Sequence, residues 1–128
     1  MKPKWSGALL FVLTMGIGLS SLSCGGDDSN PVSPPGGADL TINIVAMAGA
    51  NSYSANPDTV TVGQTVSWRN VASDGQTHTA TDNGVAIFDT GNIAFNATSS
   101  PIQMNTVGSH GYHCGVHPAM TGTLVVRP

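Results

Sequence analysis

Short runs of alternating apolar and polar residues recur from about position 40 to the end of the chain. Residues 40–45, 59–62 and 65–69 alternate in this way, as half-buried strands do, because successive side chains of a strand point to opposite faces. Residues 101–104, 109–114 and 121–126 predict further strands. No segment shows a sustained helical period. The pattern predicts an all-β domain of seven to eight short strands, arranged as an antiparallel sandwich or small barrel.

Turn-forming residues separate the early runs. Asn56, Pro57 and Asp58 are typical of a turn. Gly63-Gln64 matches a two-residue hairpin turn with glycine first, which predicts that the runs on either side of it pair. The large apolar side chains are expected to pack in the interior, namely Met47, Trp68, Phe88, Phe95, Met104 and Tyr112.

The composition supports strands and excludes one class of partner. Only 9% of the residues are charged, and glutamate is absent, so residues that favour surface helices are scarce. Both lysines fall within the first four positions, which leaves two arginines against seven aspartates in the rest of the chain. Without a basic patch, nucleic acid is not expected as a partner.

The N-terminus has the pattern of an export signal. Lys2 and Lys4 precede an apolar stretch at residues 8–19. This stretch has 12 residues, whereas a membrane-spanning helix needs about 20. We therefore interpret residues 1–23 as a secretory signal peptide, which predicts export to the periplasm or the cell surface.

Cys24 lies where the apolar stretch ends. Ser21, Leu22 and Ser23 before it resemble the lipobox of bacterial lipoproteins, in which the cysteine is lipidated and becomes the first residue. Ordinary signal cleavage is the alternative, since Ser21 and Ser23 also satisfy the rule for small residues at a cleavage site. Residues 24–37 are rich in Gly, Pro, Ser and Asp and predict a flexible linker. The folded domain is then expected at residues 38–128.

The segment with most chemical information is residues 112–120. It places Cys114, His117 and Met120 at intervals of three residues. Thiolate and thioether are soft ligands, and two histidines with one cysteine and a distant axial methionine form the blue-copper electron-transfer site. The segment lacks one histidine, which must come from elsewhere in the chain.

The four histidines can be sorted by strand geometry. His113 adjoins Cys114 and should point to the opposite face of the strand. His110 shares the face of Cys114 but lies four residues away, roughly 13 Å along a strand, which is too far to bind the same ion. His78, after a polar loop that follows Trp68, is the remaining candidate.

This pattern resembles the cupredoxin family, most closely its amicyanin and plastocyanin members. The residues that carry the resemblance are the Cys-x-x-His-x-x-Met segment with Pro118 after the histidine, the segment from Asn56 to Asn70, and the final run at residues 121–126. The resemblance implies a Greek-key fold and one type 1 copper ion, with His78, Cys114 and His117 as equatorial ligands and Met120 as the axial ligand.

The resemblance also implies a function and a route for the electron. Such a protein is expected to be a monomer that exchanges single electrons with redox partners, for example a cytochrome, a dehydrogenase or an oxidase. Four protein ligands would close the metal to a substrate, so an enzyme is not expected. The electron would pass through His117, inside an apolar patch formed by Gly115, Val116, Pro118 and Ala119. Thr79 follows the first histidine, where the family often has an asparagine that ties the two ligand loops together.

Other interpretations remain open from the residues alone. Cys114 could be a small buried hydrophobic residue or form a disulfide with Cys24, and Met120 could fill the core. His78 could be a solvated loop residue. His110 is expected to be a hydrogen-bonded residue on the core side, and His113 a surface residue. Copper storage or delivery, and a cupredoxin-like module without metal, are the competing functions.

Overall fold

The computed structural model describes residues 37–128. The predicted signal peptide at residues 1–23, the lipidation site Cys24 and the linker up to residue 36 lie outside the described residues. Within residues 37–128, no helix is long and apolar enough to cross a membrane.

The regular secondary structure of the described domain is almost entirely β-strand. Its elements are β1 (Leu40–Ile44), a short 3-10 helix (Gly49–Asn51), β2 (Tyr53–Ser54), β3 (Asp58–Thr61), β4 (Thr65–Asn70), β5 (Thr81–Asp82), β6 (Ile102–Gln103), β7 (Gly108–His113) and β8 (Thr121–Arg127). The prediction of an all-β domain with seven to eight short strands is confirmed.

The strands form two four-stranded sheets, in the orders β2-β1-β4-β6 and β3-β8-β7-β5. This arrangement is the predicted sandwich, but its sheets are mixed rather than purely antiparallel. Strand β1 runs parallel to β4, and β3 runs parallel to β8. The parallel pair β1–β4 arises because the chain crosses to the second sheet to form β3 before it returns as β4.

The prediction of a hairpin at Gly63-Gln64 is wrong. A turn does form there, with a hydrogen bond of 3.1 Å from the Gln64 amide to the Thr61 carbonyl oxygen and a φ of 93° at Gly63. The flanking strands do not pair, however, because β3 belongs to one sheet and β4 to the other. The turn therefore carries the chain between the two sheets.

The core between the sheets contains a cluster of aromatic rings. The ring of Tyr112 lies 4.7 Å from that of Tyr53, 5.8 Å from Trp68 and 5.6 Å from Phe88, measured between centroids. Gly122 of β8 is paired directly with Tyr112 of β7. A Cβ atom at Gly122 would lie within 2.7 Å of three atoms of the Tyr112 side chain, so this glycine leaves the space that the ring occupies.

The predicted interior positions are confirmed for Trp68, Phe88, Met104 and Tyr112, all of which are buried. The prediction was wrong for two others. Phe95 is 47% exposed and Met47 is 52% exposed. Both lie in connecting segments, which mostly run over the surface of a protein.

Candidate metal centre

His78 lies on the connection between β4 and β5, and its position is fixed by the main chain. It forms an isolated antiparallel bridge with Ile93, in which each residue's amide donates to the other's carbonyl oxygen at 3.1 and 2.8 Å. The side chain is fully buried. The histidine that strand geometry left as a candidate therefore points into the protein and is not a solvated loop residue.

Cys114 follows β7 directly, and the chain then folds back on itself before β8. The Cys114 amide donates to the Met120 carbonyl oxygen at 3.1 Å, and the Met120 amide donates to the His117 carbonyl oxygen at 2.9 Å. These bonds close the segment from Cys114 to Met120 into a compact loop, which we call the ligand loop. Cys114 is buried and is a free thiol; Cys24, its partner in the alternative disulfide, lies outside the described residues.

The structure brings His78, Cys114 and His117 together, with all three donor atoms within 4.8 Å of one another. The Cys114 Sγ atom lies 3.8 Å from Nδ1 of each histidine, and the two Nδ1 atoms are 3.2 Å apart. A point equidistant from the three atoms is about 2.1 Å from each, which is close to the ~2.0–2.3 Å at which imidazole nitrogen and thiolate sulfur bind a transition-metal ion.

The outer nitrogens of both imidazoles face oxygen acceptors. The Nε2 atom of His78 lies 3.3 Å from the Asp74 carboxylate, and the Nε2 atom of His117 lies 3.0 Å from Oε1 of Gln76. Each Nε2 is therefore placed to donate, and in the neutral tautomer that this contact favours each Nδ1 keeps a free lone pair. Two lone pairs and a thiol directed at one point fit a bound cation.

The acceptor beside His78 is ionised. A hydrogen bond from the Gln76 amide is the main effect that lowers the pKa of Asp74; desolvation raises this pKa by less, and the contacts with His78 and the nearby His117 lower it again. A carboxylate that accepts from the outer nitrogen of a metal-binding histidine fixes the tautomer and the orientation of the ring. Sequence reasoning missed Asp74 and Gln76, although their positions four and two residues before His78 could have drawn attention to them.

Comparison with known proteins gives a clear result at the level of structure. No model of a known protein family and no curated protein matches the chain. A mutant amicyanin in the Cu(I) state matches with 26% identity and a TM-score of 0.57, over 69% of this chain and 81% of the amicyanin chain. A purple cupredoxin from Nitrosopumilus maritimus matches with 25% identity and a TM-score of 0.59, over 69% of this chain and 99% of the other.

The chain has the cupredoxin fold, and these likenesses support the cupredoxin family. A copper-containing nitrite reductase from Thermus scotoductus SA-01 also matches, with a TM-score of 0.58 and 21% identity, over 70% of this chain and 22% of the reductase. At that identity the likeness concerns the fold alone. The donor set of two imidazoles and one thiol, in the geometry given above, fits a single type 1 copper ion.

Met120 lies at the end of the ligand loop and is 1% exposed. Its main chain is held by the two hydrogen bonds that close this loop, and its side chain belongs to the hydrophobic core cluster. Its role as the axial ligand stays a prediction.

Thr79 ties the segment around His78 to the ligand loop. Its hydroxyl accepts a hydrogen bond of 2.7 Å from the Gly115 amide, and its own amide donates to Cys114 Sγ at 3.3 Å. The tie that the family often makes with an asparagine side chain is thus made here by a threonine hydroxyl. The hydrogen bond from the Thr79 amide to Sγ also helps to fix the position of the thiol.

The proposed patch residues Gly115, Val116, Pro118 and Ala119 are all exposed around His117. A depression of about 350 Å³ lies beside them. It is lined by Val116, His117, Pro118, Ala119 and Met120, together with Met47 and Gly49 from the connection between β1 and β2. Sequence reasoning missed the contribution of this connection, because nothing in the sequence near Met47 indicates that it approaches the ligand loop.

The two remaining histidines lie outside the metal cluster. The His110 ring is half-buried and contacts the Thr106 carbonyl oxygen through Nε2 at 2.9 Å, which agrees with a hydrogen-bonded histidine. His113 is also half-buried, and its ring bonds to the side chain of Asn83. Neither histidine joins His78 and His117 in the group that could hold a metal.

Proposed function

We propose that the protein is a blue-copper electron carrier of the bacterial cell envelope. The observation that carries the proposal is the donor triangle, in which one thiol and the Nδ1 atoms of two imidazoles meet around a single point. Copper bound there supplies a one-electron couple between Cu(II) and Cu(I). Met120 is proposed as the axial ligand, since it ends the loop that also carries Cys114 and His117.

The protein's part in electron transfer is to hold its ligands still. The His78 main chain is bridged to Ile93, and Thr79 fastens the ligand loop to the same segment. Ligands that keep their positions in both oxidation states lower the reorganisation energy of each electron transfer. His117 is the one half-exposed ligand of the three, which supports the prediction that the electron enters and leaves through its ring.

An electron carrier accounts for the site better than an enzyme does. His78 and Cys114 are fully buried, and four protein ligands would leave no position on the metal for a substrate. The exposed apolar surface around His117 fits a transient redox partner, since Val116 and Met47 are 50% and 52% exposed. The partner is proposed to be a redox protein that meets a monomer of this chain.

The proposal is tested by adding Cu(II) to the purified metal-free domain and recording its visible absorption. We expect one equivalent of copper to produce an intense band from charge transfer between thiolate and Cu(II), and a reductant to bleach it reversibly. A colourless protein that takes up only Cu(I) would instead support copper storage or delivery. A protein that takes up neither ion would contradict both functions.

The proposed location in the cell envelope depends on the N-terminus and has a separate test. In a host that processes bacterial lipoproteins, we expect the full chain to sediment with membranes and Cys24→Ser to release it into the soluble exported fraction. The reason is that the lipid is attached to this thiol. Membrane association of Cys24→Ser equal to that of the wild type would contradict lipidation, and a soluble wild type would support ordinary cleavage.

A further inference from the structure

The connection at residues 71–77, between β4 and His78, is held in place by hydrogen bonds within itself and to the core. The buried Asn70 side chain donates to the Gln76 carbonyl oxygen at 2.7 Å and to that of Ile93 at 3.0 Å, and accepts from the Ala72 amide at 3.2 Å. The Gln76 amide donates to Asp74 Oδ1 at 2.9 Å. The main chain of Gln76 is therefore fixed on both sides, although the residue itself is exposed.

His117 is the ligand with the fewest constraints. It lies in the middle of the ligand loop and is half-exposed, whereas His78 and Cys114 are buried. Its outer nitrogen would face water if Gln76 were absent. The Gln76 side chain instead crosses from the 71–77 connection and accepts the Nε2 proton at 3.0 Å.

We propose that Gln76 is a positioning residue for electron transfer, which holds the His117 imidazole on the metal and keeps water from its outer nitrogen. The inference rests on the proposed function, because it assigns a role at the same copper site. An acceptor fixed by the main chain can hold the ring in one orientation and one tautomer, as partners of metal-binding histidines do. The electron then passes through a ring that does not turn between the two oxidation states.

Asp74 provides the matching contact on the other side of the site. Its carboxylate touches the outer nitrogen of His78 and the Gln76 amide. One short segment therefore contacts both histidine ligands from outside. Gln76 is the better residue to test, because replacing Asp74 would disturb His78 and the position of Gln76 together.

The test compares Gln76→Ala with Gln76→Glu. Alanine removes the acceptor and opens Nε2 to water, whereas glutamate keeps an acceptor oxygen at the same reach. For Gln76→Ala we expect copper affinity, measured by competition with a chelator, to fall by about tenfold, the lower end of what loss of an outer partner costs. We expect Gln76→Glu to retain most of the affinity.

Nuclear magnetic resonance of the Cu(I) protein reports on the contact directly, since Cu(I) is diamagnetic. We expect a slowly exchanging signal from the His117 Nε2 proton in the wild type and in Gln76→Glu. In Gln76→Ala the signal should be lost to exchange with water, and electron self-exchange should become slower. A glutamine that merely occupied surface would leave this signal unchanged.

Gln103→Ala is the matched control. Gln103, on β6, is also an exposed glutamine, and its side chain donates one hydrogen bond, to the Gly63 carbonyl oxygen. Its replacement should alter neither readout. A normal affinity and a persistent Nε2 signal in Gln76→Ala would overturn the inference, as would equal losses in Gln103→Ala. Either result would leave the visible band of the wild type intact, whereas absence of that band would overturn the proposed function itself.

Discussion

Replacing Cys114 by serine is expected to abolish the intense visible band of the Cu(II) protein. The band requires a thiolate bound to copper, and a serine hydroxyl stays protonated at neutral pH. Copper affinity should also fall by more than about 100-fold, because loss of an inner ligand exceeds the 10–100-fold cost of losing an outer partner. The two Nδ1 atoms would still bind Cu(II), but weakly and with little colour.

The fold should survive this change. Serine is similar in size to cysteine, and its oxygen can accept the Thr79 amide that now donates to Sγ, so we expect a stability loss of only about 1 kcal/mol for the metal-free domain. Cys24→Ser is the matched control, since it removes the other cysteine of the chain and should leave the band unchanged. Persistence of the band in Cys114→Ser would mean that another residue supplies the sulfur ligand.

Gly122→Ala is expected to cause the largest loss of stability among single methyl additions in the sandwich. The added Cβ would lie within 2.7 Å of three atoms of Tyr112. That ring cannot move away easily, because Tyr53, Trp68 and Phe88 surround it. Overpacking of this kind costs about 1–3 kcal/mol, and we expect a value near the upper end from urea unfolding of the metal-free domain.

The same substitution should also affect the copper site. Tyr112 lies two residues before Cys114 on the same face of the chain, so a shift of its ring would move the thiol and alter the visible band. Gly84→Ala is the control, because a Cβ there would meet only Asp82 Oδ2 at 3.4 Å, an ordinary contact. If Gly122→Ala unfolds at the same urea concentration as Gly84→Ala, the packing of Tyr112 against β8 is looser than described.

Strand periodicity was enough to predict the class of fold, whereas the three residues of the donor triangle came from the ligand chemistry of the Cys-x-x-His-x-x-Met segment combined with strand geometry. Strand geometry excluded His110 and His113 as ligands of the same ion as Cys114, because the face on which a side chain lies and its distance along one strand follow from the local sequence. It could not predict which sheet each strand joins. The turn at Gly63 has the chemistry of a hairpin, but the choice between pairing and crossing depends on β8 and β1, which are distant in sequence.

The contacts of Asp74 and Gln76 with the two imidazoles could not be predicted either, because they too depend on residues that are distant in sequence. Asp74 and Gln76 stand in a polar connection that resembles any solvated loop. Their contacts with the two imidazoles depend on how Asn70 and Ile93 hold that connection in space. Met47 likewise reaches the surface beside His117 only because the connection between β1 and β2 folds towards the ligand loop.

The separation of the ligands along the chain has a consequence for chain entropy. His78 and Cys114 are 36 residues apart, and Cys114 is the one cysteine in residues 37–128, so no disulfide restrains this part of the chain when it unfolds. A permanent cross-link across a loop of that length would lower the entropy of the unfolded chain and so raise its free energy by about 4 kcal/mol. Copper bound to both residues would act as such a cross-link, so the same metal that would carry the electron would also stabilise the fold against unfolding.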